Sequence, residues 1–130
     1  EILRFRFFLE GGLLRDCYTF IAQDQMDELY RLDDLCNASV DDMWVHWDHN
    51  MRFHLYLLSR SGNTYAYQQL EKSMGILKRA YAQFYWDKWD AEYNPIDMRY
   101  HRDILACIKN RDIDGAIEKL ELDLQEFRSN

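Results

Sequence analysis

Four polar side chains interrupt the apolar faces of predicted helices, and these residues have the chemistry to hold a ligand. His54, in the segment NMRFHLYLLSRSGN, lies on one helical stripe with Trp47, Met51 and Leu58. Asn50 lies one turn before His54 and three residues after Trp47, so it shares that face. An imidazole and an amide are therefore predicted to point toward a core.

The other two polar residues lie nearer the end of the chain. His101 precedes Ile104 and Ile108 at the i+3 and i+7 positions, which places it on their apolar stripe. Asp123 lies at the edge of a second stripe, three residues after Leu120. His101 is thus predicted to point inward, and Asp123 to lie at the boundary of a core.

Together the four residues form a candidate set of metal ligands. Buried imidazoles and carboxylates are costly unless they are paired, hydrogen-bonded or bound to a metal. Two histidines and one carboxylate from three helices suit a divalent ion such as zinc, nickel, manganese or iron, and Asn50 can add a weaker amide oxygen. The alternative is that each inward histidine is a hydrogen-bonded core residue and that Asp123 is solvated. His46 and His49 lie beside acidic residues and are predicted to face solvent.

The hydrophobic pattern predicts only helices, because apolar residues recur with the helical period along the chain. Ser39, with Asp42 three residues on, is predicted to cap the third helix, and Gly62 to close that helix in a left-handed conformation. Asn63 or Thr64 is predicted to cap the fourth helix. The fold class is therefore all-α, an antiparallel bundle of about six helices with short connections.

The last two helices follow a predicted loop around Pro95, and Asp112 is predicted to cap the sixth helix. The six predicted helices span residues 1–21, 23–36, 40–60, 64–89, 96–109 and 113–127.

The composition describes one domain with an acidic surface. The chain has 130 residues, of which 48% are hydrophobic, enough for a sizeable core. Its formal net charge of −7 argues against nucleic-acid binding by this segment, because phosphate contacts need clustered lysine and arginine. No apolar run reaches ~18 residues, so no membrane span is predicted. The three separated cysteines form no CxxC pair and are typical of a cytoplasmic protein with reduced thiols.

Three segments resemble motifs of the ligand-binding domain of FadR-type GntR transcription regulators, the FCD domain. RFFLE, near the start of the chain, resembles the R-x-x-L-E opening of that domain. NMRFHLYLLSRSGN resembles its D-x-x-F-H-x-x-L…S-G-N segment, and YHRDILACIKNRDIDGAIEKLELDL resembles its E-H-x-x-I-x-x-A-I…G-D…A…H-L ending. The segments occur in the family's order, so residues 1–130 are predicted to form one effector-binding domain.

The resemblance implies an all-helical domain that binds a small, usually carboxylate-bearing effector and is not an enzyme. It also implies a homodimeric regulator whose N-terminal winged helix-turn-helix binds operator DNA. That module is absent from this chain, which opens within a helical pattern and without an initiator methionine, as a part of a longer protein would. Many domains of the family hold a divalent metal with one aspartate and three histidines.

The resemblance also assigns candidate ligands position by position. The family's aspartate falls on Asn50, its first two histidines fall on His54 and His101, and its last histidine falls on Asp123. The single negative ligand is thereby moved from the third helix to the sixth. His54, His101 and Asp123 would form a set of two histidines and one carboxylate, with Asn50 as a weaker fourth ligand. Alternatively, the four side chains bind an effector directly, without metal.

Arg6 matches the arginine of the opening motif. A guanidinium can hold a carboxylate through two hydrogen bonds, so Arg6 is a candidate effector ligand together with His54 and His101. Its alternative partner is Glu10, one helical turn on.

The leading hypothesis is a ligand-sensing domain of a transcription regulator. One alternative is a metal-dependent enzyme, because two histidines and one carboxylate with open positions are also the ligands of non-haem iron oxygenases. A second alternative is a metal-free helical interaction domain whose polar residues are satisfied internally.

Overall fold

The computed structural model describes residues 2–39, 42–85 and 99–126, and within those ranges the chain is all-α, without a strand. The described residues form six α-helices and one short 3-10 helix, which confirms the predicted helical bundle. The helices are α1 (Ile2–Cys17), α2 (Gln23–Ala38), α3 (Met43–Leu57), α4 (Thr64–Tyr85), α5 (Arg99–Lys109) and α6 (Ile113–Glu126), with the 3-10 helix Tyr18–Phe20 after α1.

The helix that carries Asn50 and His54 begins later than predicted. Asp42 caps α3, since its carboxylate accepts hydrogen bonds of 3.1 and 3.2 Å from two backbone N–H groups of the first turn. The prediction that Ser39 caps this helix is wrong. The Ser39 hydroxyl instead donates back to the Leu35 carbonyl at 2.8 Å, at the end of α2, so it does not reach the start of α3.

The prediction for Gly62 is also wrong, because α3 ends five positions earlier, at Leu57. No glycine among the described residues has a positive φ angle. Asn63 does cap the next helix, as predicted: its side-chain oxygen accepts a 2.9 Å hydrogen bond from the backbone N–H of Ala66. A short connection therefore joins α3 to α4 without a left-handed glycine.

The end of α1 and the start of α6 bound two of the helices that carry the polar residues. α1 ends at Cys17 and its last predicted turn is the 3-10 helix. The carboxylate of Asp112 caps α6 by accepting a 3.0 Å hydrogen bond from the backbone N–H of Gly115, which confirms that prediction. The predicted loop around Pro95, the end of the fourth predicted helix at 89 and the start of the fifth at 96 lie outside the described residues.

The six helices pack around one core. α5 packs on α6, α2 packs on α3 and on α5, and α1 packs on α4 and α6. Full burial of each large apolar side chain contributes about 1.5–3 kcal/mol, and this packing fixes the helices that carry the polar residues. No helix within the described residues is long and apolar enough to cross a membrane. The fully buried apolar side chains include Leu14, Leu29, Phe53, Leu57, Leu70, Ile104, Leu105 and Leu120.

Candidate functional site

The four predicted site residues all lie inside the bundle. Asn50, His54 and His101 are 0% exposed, and Asp123 is 1% exposed. The alternative of a solvated Asp123 is therefore excluded. α3 supplies Asn50 and His54, while α5 and α6, which pack on each other, supply His101 and Asp123.

The carboxylate of Asp123 lies against both imidazoles. Its Oδ2 atom is 2.9 Å from Nε2 of His54 and 3.5 Å from Nε2 of His101. One potential ligand atom from each of the three residues lies within 4.8 Å of the other two. Metal–ligand bonds of ~2.0–2.1 Å place neighbouring ligand atoms roughly 3.0–3.4 Å apart. The two separations to Asp123, 2.9 and 3.5 Å, lie just outside that range on either side, so a small adjustment would bring the three atoms onto one ion.

Two more carboxylates lie behind the histidines. Glu10 of α1 places Oε1 2.5 Å from Nδ1 of His54, and Asp33 of α2 places Oδ1 3.0 Å from Nδ1 of His101. Both carboxylates are 0% exposed. Each histidine is thus held between Asp123 and a carboxylate of its own.

The sequence carries a signal for Glu10 and Asp33 that the predictions did not use. Glu10 is four residues after Arg6 and seven before Cys17, which places it on the buried stripe of α1. Asp33 is seven residues after Met26 in α2 and shares its buried stripe in the same way. Acidic residues on an apolar stripe were as informative here as the inward histidines.

An aromatic side chain forms one wall of the cluster. Phe53 stacks face to face on the His101 ring, with centroids 3.9 Å apart and an angle of 7° between the planes. It meets the His54 ring edge-on, at 5.6 Å and 78°. Phe53 is fully buried, so it restricts both rings and keeps water from that side.

The local charges favour the ionised forms of Asp123 and His101. Burial raises the pKa of the Asp123 carboxyl, but the charge of His101 and hydrogen bonds from both histidines outweigh burial and hold this pKa well below its usual range. Burial lowers the pKa of the His101 imidazole, but Asp123, Asp33 and the Cys36 thiol raise it well above its usual value. Without metal, His101 and Asp123 therefore form a buried ion pair.

Several buried polar atoms of the cluster have no hydrogen-bond partner among the described residues. They are both side-chain atoms of Asn50, the Nη1 and Nη2 atoms of Arg6, and Nε2 of His101. Buried donors and acceptors are nearly always satisfied in native proteins, and an unsatisfied one costs about 1–3 kcal/mol. A cation could use the Asn50 oxygen and Nε2 of His101, and an anionic ligand could use the Arg6 donors, so the residues of the cluster fit either.

The charges of the cluster cancel only when one histidine carries a second proton. Glu10, Asp33 and Asp123 supply three negative charges, while Arg6 and Arg102 supply two positive charges, which leaves 2 − 3 = −1 when both imidazoles are neutral. Arg6 is 0% exposed, whereas Arg102 is 46% exposed and partly screened by solvent. A cation, or a proton on a histidine, is needed to neutralise the interior.

The comparison with protein-family models decides the family. The model of the FCD domain, the C-terminal domain of FadR/GntR-type regulators, matches residues 1–125. The chain belongs to the FCD family. No curated protein and no solved structure matches this FCD domain significantly.

Arg6 of this FCD domain pairs with Glu10 as the alternative interpretation predicted. Its Nε atom donates to Oε2 of Glu10, and the two side chains are fully buried. The Nη1 and Nη2 groups keep their donors unused among the described residues, so the ion pair leaves Arg6 able to bind an anion.

The prediction for His46 of the FCD domain is wrong. It is 1% exposed, and its Nδ1 atom lies 2.8 Å from the Cys36 carbonyl oxygen, so it joins α3 to α2. Burial holds the pKa of His46 below its usual value. His46 is eight residues before His54 on the same helical face, and that spacing, rather than its acidic neighbours in sequence, decides its direction.

Proposed function

We propose that this FCD domain senses a small carboxylate metabolite for a GntR-family transcription regulator, through a divalent metal held by His54, His101 and Asp123. Asn50, one turn before His54, would supply a weaker fourth ligand. The observation that carries the proposal is the convergence of two imidazoles and one carboxylate inside the core, within 4.8 Å of one another. The domain would bind its effector without turning it over.

The charge of the cluster supports a metal together with an anionic effector. The buried groups sum to −1 with neutral imidazoles, so a divalent ion changes the sum to −1 + 2 = +1. One carboxylate of the effector would return it to zero. Charges taken out of water are tolerated only when they are paired, so the metal and the effector would favour each other's binding.

Arg6 and the open metal positions would recognise the effector. Arg6 has two unused N–H₂ groups, and a guanidinium binds a carboxylate through two parallel hydrogen bonds. The metal would supply an electrostatic anchor for the carboxylate. Zinc, nickel, manganese and iron all accept two imidazoles and a carboxylate as ligands. The coordination positions that remain on each ion would determine which one binds the effector most tightly.

The output of the domain would be a change in helix arrangement. The cluster draws on α1, α2, α3, α5 and α6, so an effector that binds one arrangement more tightly would favour it across the bundle. In a homodimeric regulator, such a change would alter the spacing of attached winged helix-turn-helix modules on operator DNA.

Metal-dependent stability tests the proposal directly. The domain is treated with a chelator and melted with zinc, nickel, manganese or ferrous iron added singly, the last without oxygen. A ligand at a hundred times its Kd stabilises the folded state by about 2.7 kcal/mol, so at least one ion should raise the melting temperature. Native mass spectrometry should report one ion per chain, and acetate or citrate should raise the melting temperature further.

Asp123→Asn removes the only carboxylate ligand and should abolish the metal-dependent shift. Asp34→Asn is the matched control, because Asp34 is 70% exposed and does not contact either histidine. A domain whose melting temperature and mass do not respond to any of the four ions would contradict the metal centre.

One observation favours the alternative in which the domain binds its effector without a metal. His54 lies between Glu10 and Asp123, at 2.5 and 2.9 Å, so a proton on this histidine would satisfy both carboxylates without an ion. The effector would then bind to Arg6 and Asn50 directly. In that case acetate or citrate would stabilise the chelator-treated domain as strongly as the metal-loaded one.

A further inference from the structure

Each histidine of the cluster is attached to a different helix by a carboxylate on its Nδ1 side. Glu10 Oε1 lies 2.5 Å from Nδ1 of His54, and Asp33 Oδ1 lies 3.0 Å from Nδ1 of His101. In both histidines the other ring nitrogen, Nε2, faces Asp123. The two rings are therefore oriented alike, although they come from α3 and α5 and contact carboxylates of α1 and α2.

An arginine holds each of these carboxylates in turn. The Nε atom of Arg6 donates to the second oxygen of Glu10, and Nε of Arg102 donates to the second oxygen of Asp33 at 2.6 Å. Each carboxylate thus uses one oxygen for a histidine and the other for a guanidinium. With both oxygens engaged, neither carboxylate can rotate away from its histidine without breaking a charged hydrogen bond.

We propose that Glu10 and Asp33 are positioning residues that keep a proton on Nδ1 of His54 and His101, so that Nε2, which faces Asp123, is the nitrogen that can release its hydrogen and bind an ion. The role of these residues toward a bound ion rests on the proposed function. The hydrogen on Nδ1 does not, because it follows from the contacts with Glu10 and Asp33 alone. A carboxylate accepts but cannot donate, so the atom facing it must carry hydrogen. Partners of this kind fix the tautomer of histidine ligands and increase their basicity.

The neutral isosteres test these roles by metal affinity. Glu10→Gln and Asp33→Asn keep the size of the side chain, but their amide groups can donate as well as accept and no longer enforce the Nδ1–H form. Loss of such a partner typically weakens metal binding by about 10–100-fold, so the Kd for Co²⁺ should rise by that factor in each variant. Calorimetric titration of the chelator-treated domain measures it.

Asp34→Asn is the control for Asp33→Asn. Asp34 contacts the same Arg102 guanidinium but is 70% exposed and touches no histidine. The Asp34→Asn variant should therefore bind Co²⁺ with the Kd of the wild type. A purely structural role of Glu10 and Asp33 would lower the stability of the variants and leave the Co²⁺ Kd and visible spectrum of the folded protein unchanged. That result would overturn the proposal.

Nitrogen-15 NMR of the wild-type histidines tests the same assignment without a variant. Nδ1 of His54 and His101 should show the shift of a protonated ring nitrogen in the metal-free and the zinc-loaded domain, with zinc changing the Nε2 shift. A neutral ring with hydrogen on Nε2 alone, or zinc bound to Nδ1, would overturn the proposal. If the wild type binds neither cobalt nor zinc, the metal centre fails, and the spectrum of the metal-free domain still decides the positioning roles.

Discussion

Asp123 and His54 are separated by 69 positions in the chain, yet Oδ2 of one lies 2.9 Å from Nε2 of the other inside the core. The contact joins α6 to α3, and the same oxygen lies 3.5 Å from His101 on α5. One carboxylate therefore holds three helices at a single point. In the proposed metal centre, Asp123 would supply the negative ligand that the neutral amide of Asn50 does not.

Asn50→Asp adds a second negative ligand and should increase metal affinity at the expense of metal-free stability. Asn50 is fully buried, so a new carboxylate there would lack a counter-charge until an ion binds. We expect the Kd for zinc to fall by about tenfold and the metal-free domain to lose roughly 3–5 kcal/mol of unfolding free energy, the cost of an uncompensated buried charge.

Urea unfolding and zinc titration measure the two effects of Asn50→Asp. Asn37→Asp is the control, because Asn37 is exposed on α2 and this substitution adds the same charge at the surface. Zinc binding by Asn50→Asp no tighter than that of the wild type would show that position 50 is not a ligand.

The stability of the metal-free domain should decline on the alkaline side. The folded-state pKa of His101 is raised by its carboxylates, so its contribution is complete below the unfolded value of about 6.5 and is lost as pH rises through the folded value. The folded-state pKa of Asp123 is depressed, so its contribution is present above about 3.9 and is lost as pH falls. Urea unfolding from pH 4 to 10 should therefore give a maximum between these two limits.

Zinc should reverse the alkaline decline, because a metal ligand must be an unprotonated imidazole and metal affinity rises with pH. The increase in unfolding free energy on adding zinc should grow from pH 6 to pH 8. An increase that is constant or shrinks with pH would contradict histidine ligation. His49→Gln should keep the wild-type trend, because His49 contacts Ser39 and lies outside the cluster.

The sequence predicts the all-α fold and the inward direction of His54 and His101, because both follow from the spacing of apolar residues on a helix. It does not predict which acidic residue meets which histidine. Asp33 follows the buried stripe of α2 and Asp34 does not, but only the packing of α2 on α5 sets Asp33 against His101. That contact crosses 68 positions, and a helical period carries no information about it.

The helix ends show the same division between local and distant information. Asn63 and Asp112 cap helices as predicted, since a cap needs only residues within its own turn. Ser39 has an equally good local signal, but the prediction that it caps α3 is wrong. Its hydroxyl is used at the end of α2 and also lies 3.1 Å from His49 of α3, a contact that depends on how two helices pack.

Only one of the three cysteine thiols should react rapidly in the native domain. Cys17 and Cys36 are fully buried, and burial raises the pKa of Cys17 to about 11 and raises that of Cys36. Burial raises the pKa of Cys107 as well, but this residue is only partly buried. A thiolate must form and reach solvent to react, so Cys107 should be labelled first.

Ellman's reagent at pH 8 should thus titrate one fast thiol per native chain and three in urea. Cys107→Ser should remove the fast phase, whereas Cys17→Ser should retain it. Two fast thiols in the native wild type would show that α1 or α2 opens far more readily than its packing indicates.

Arg111→Gly should stabilise the domain, because Arg111 is the described non-glycine residue with a positive φ angle, 58°. Arg111 lies in the turn between α5 and α6, where its backbone N–H donates to the Ile108 carbonyl at 3.0 Å. The backbone N–H of Asp112 donates to the Cys107 carbonyl at 2.8 Å. The left-handed conformation costs a residue with a side chain roughly 1–2 kcal/mol. Glycine avoids that cost but loses about 0.4–1 kcal/mol through its freer unfolded chain, so we expect a net gain between zero and about 1.6 kcal/mol.

Urea unfolding of the metal-free protein isolates this effect from ligand binding. Asn110→Gly is the matched control: Asn110 is the neighbouring residue, and its φ angle is not positive, so glycine there should lower the unfolding free energy. Equal loss of stability in Arg111→Gly and Asn110→Gly would mean that the turn gains nothing from glycine at position 111. A gain confined to Arg111→Gly would show that this turn, which sets α5 against α6 and so His101 against Asp123, is strained by its side chain.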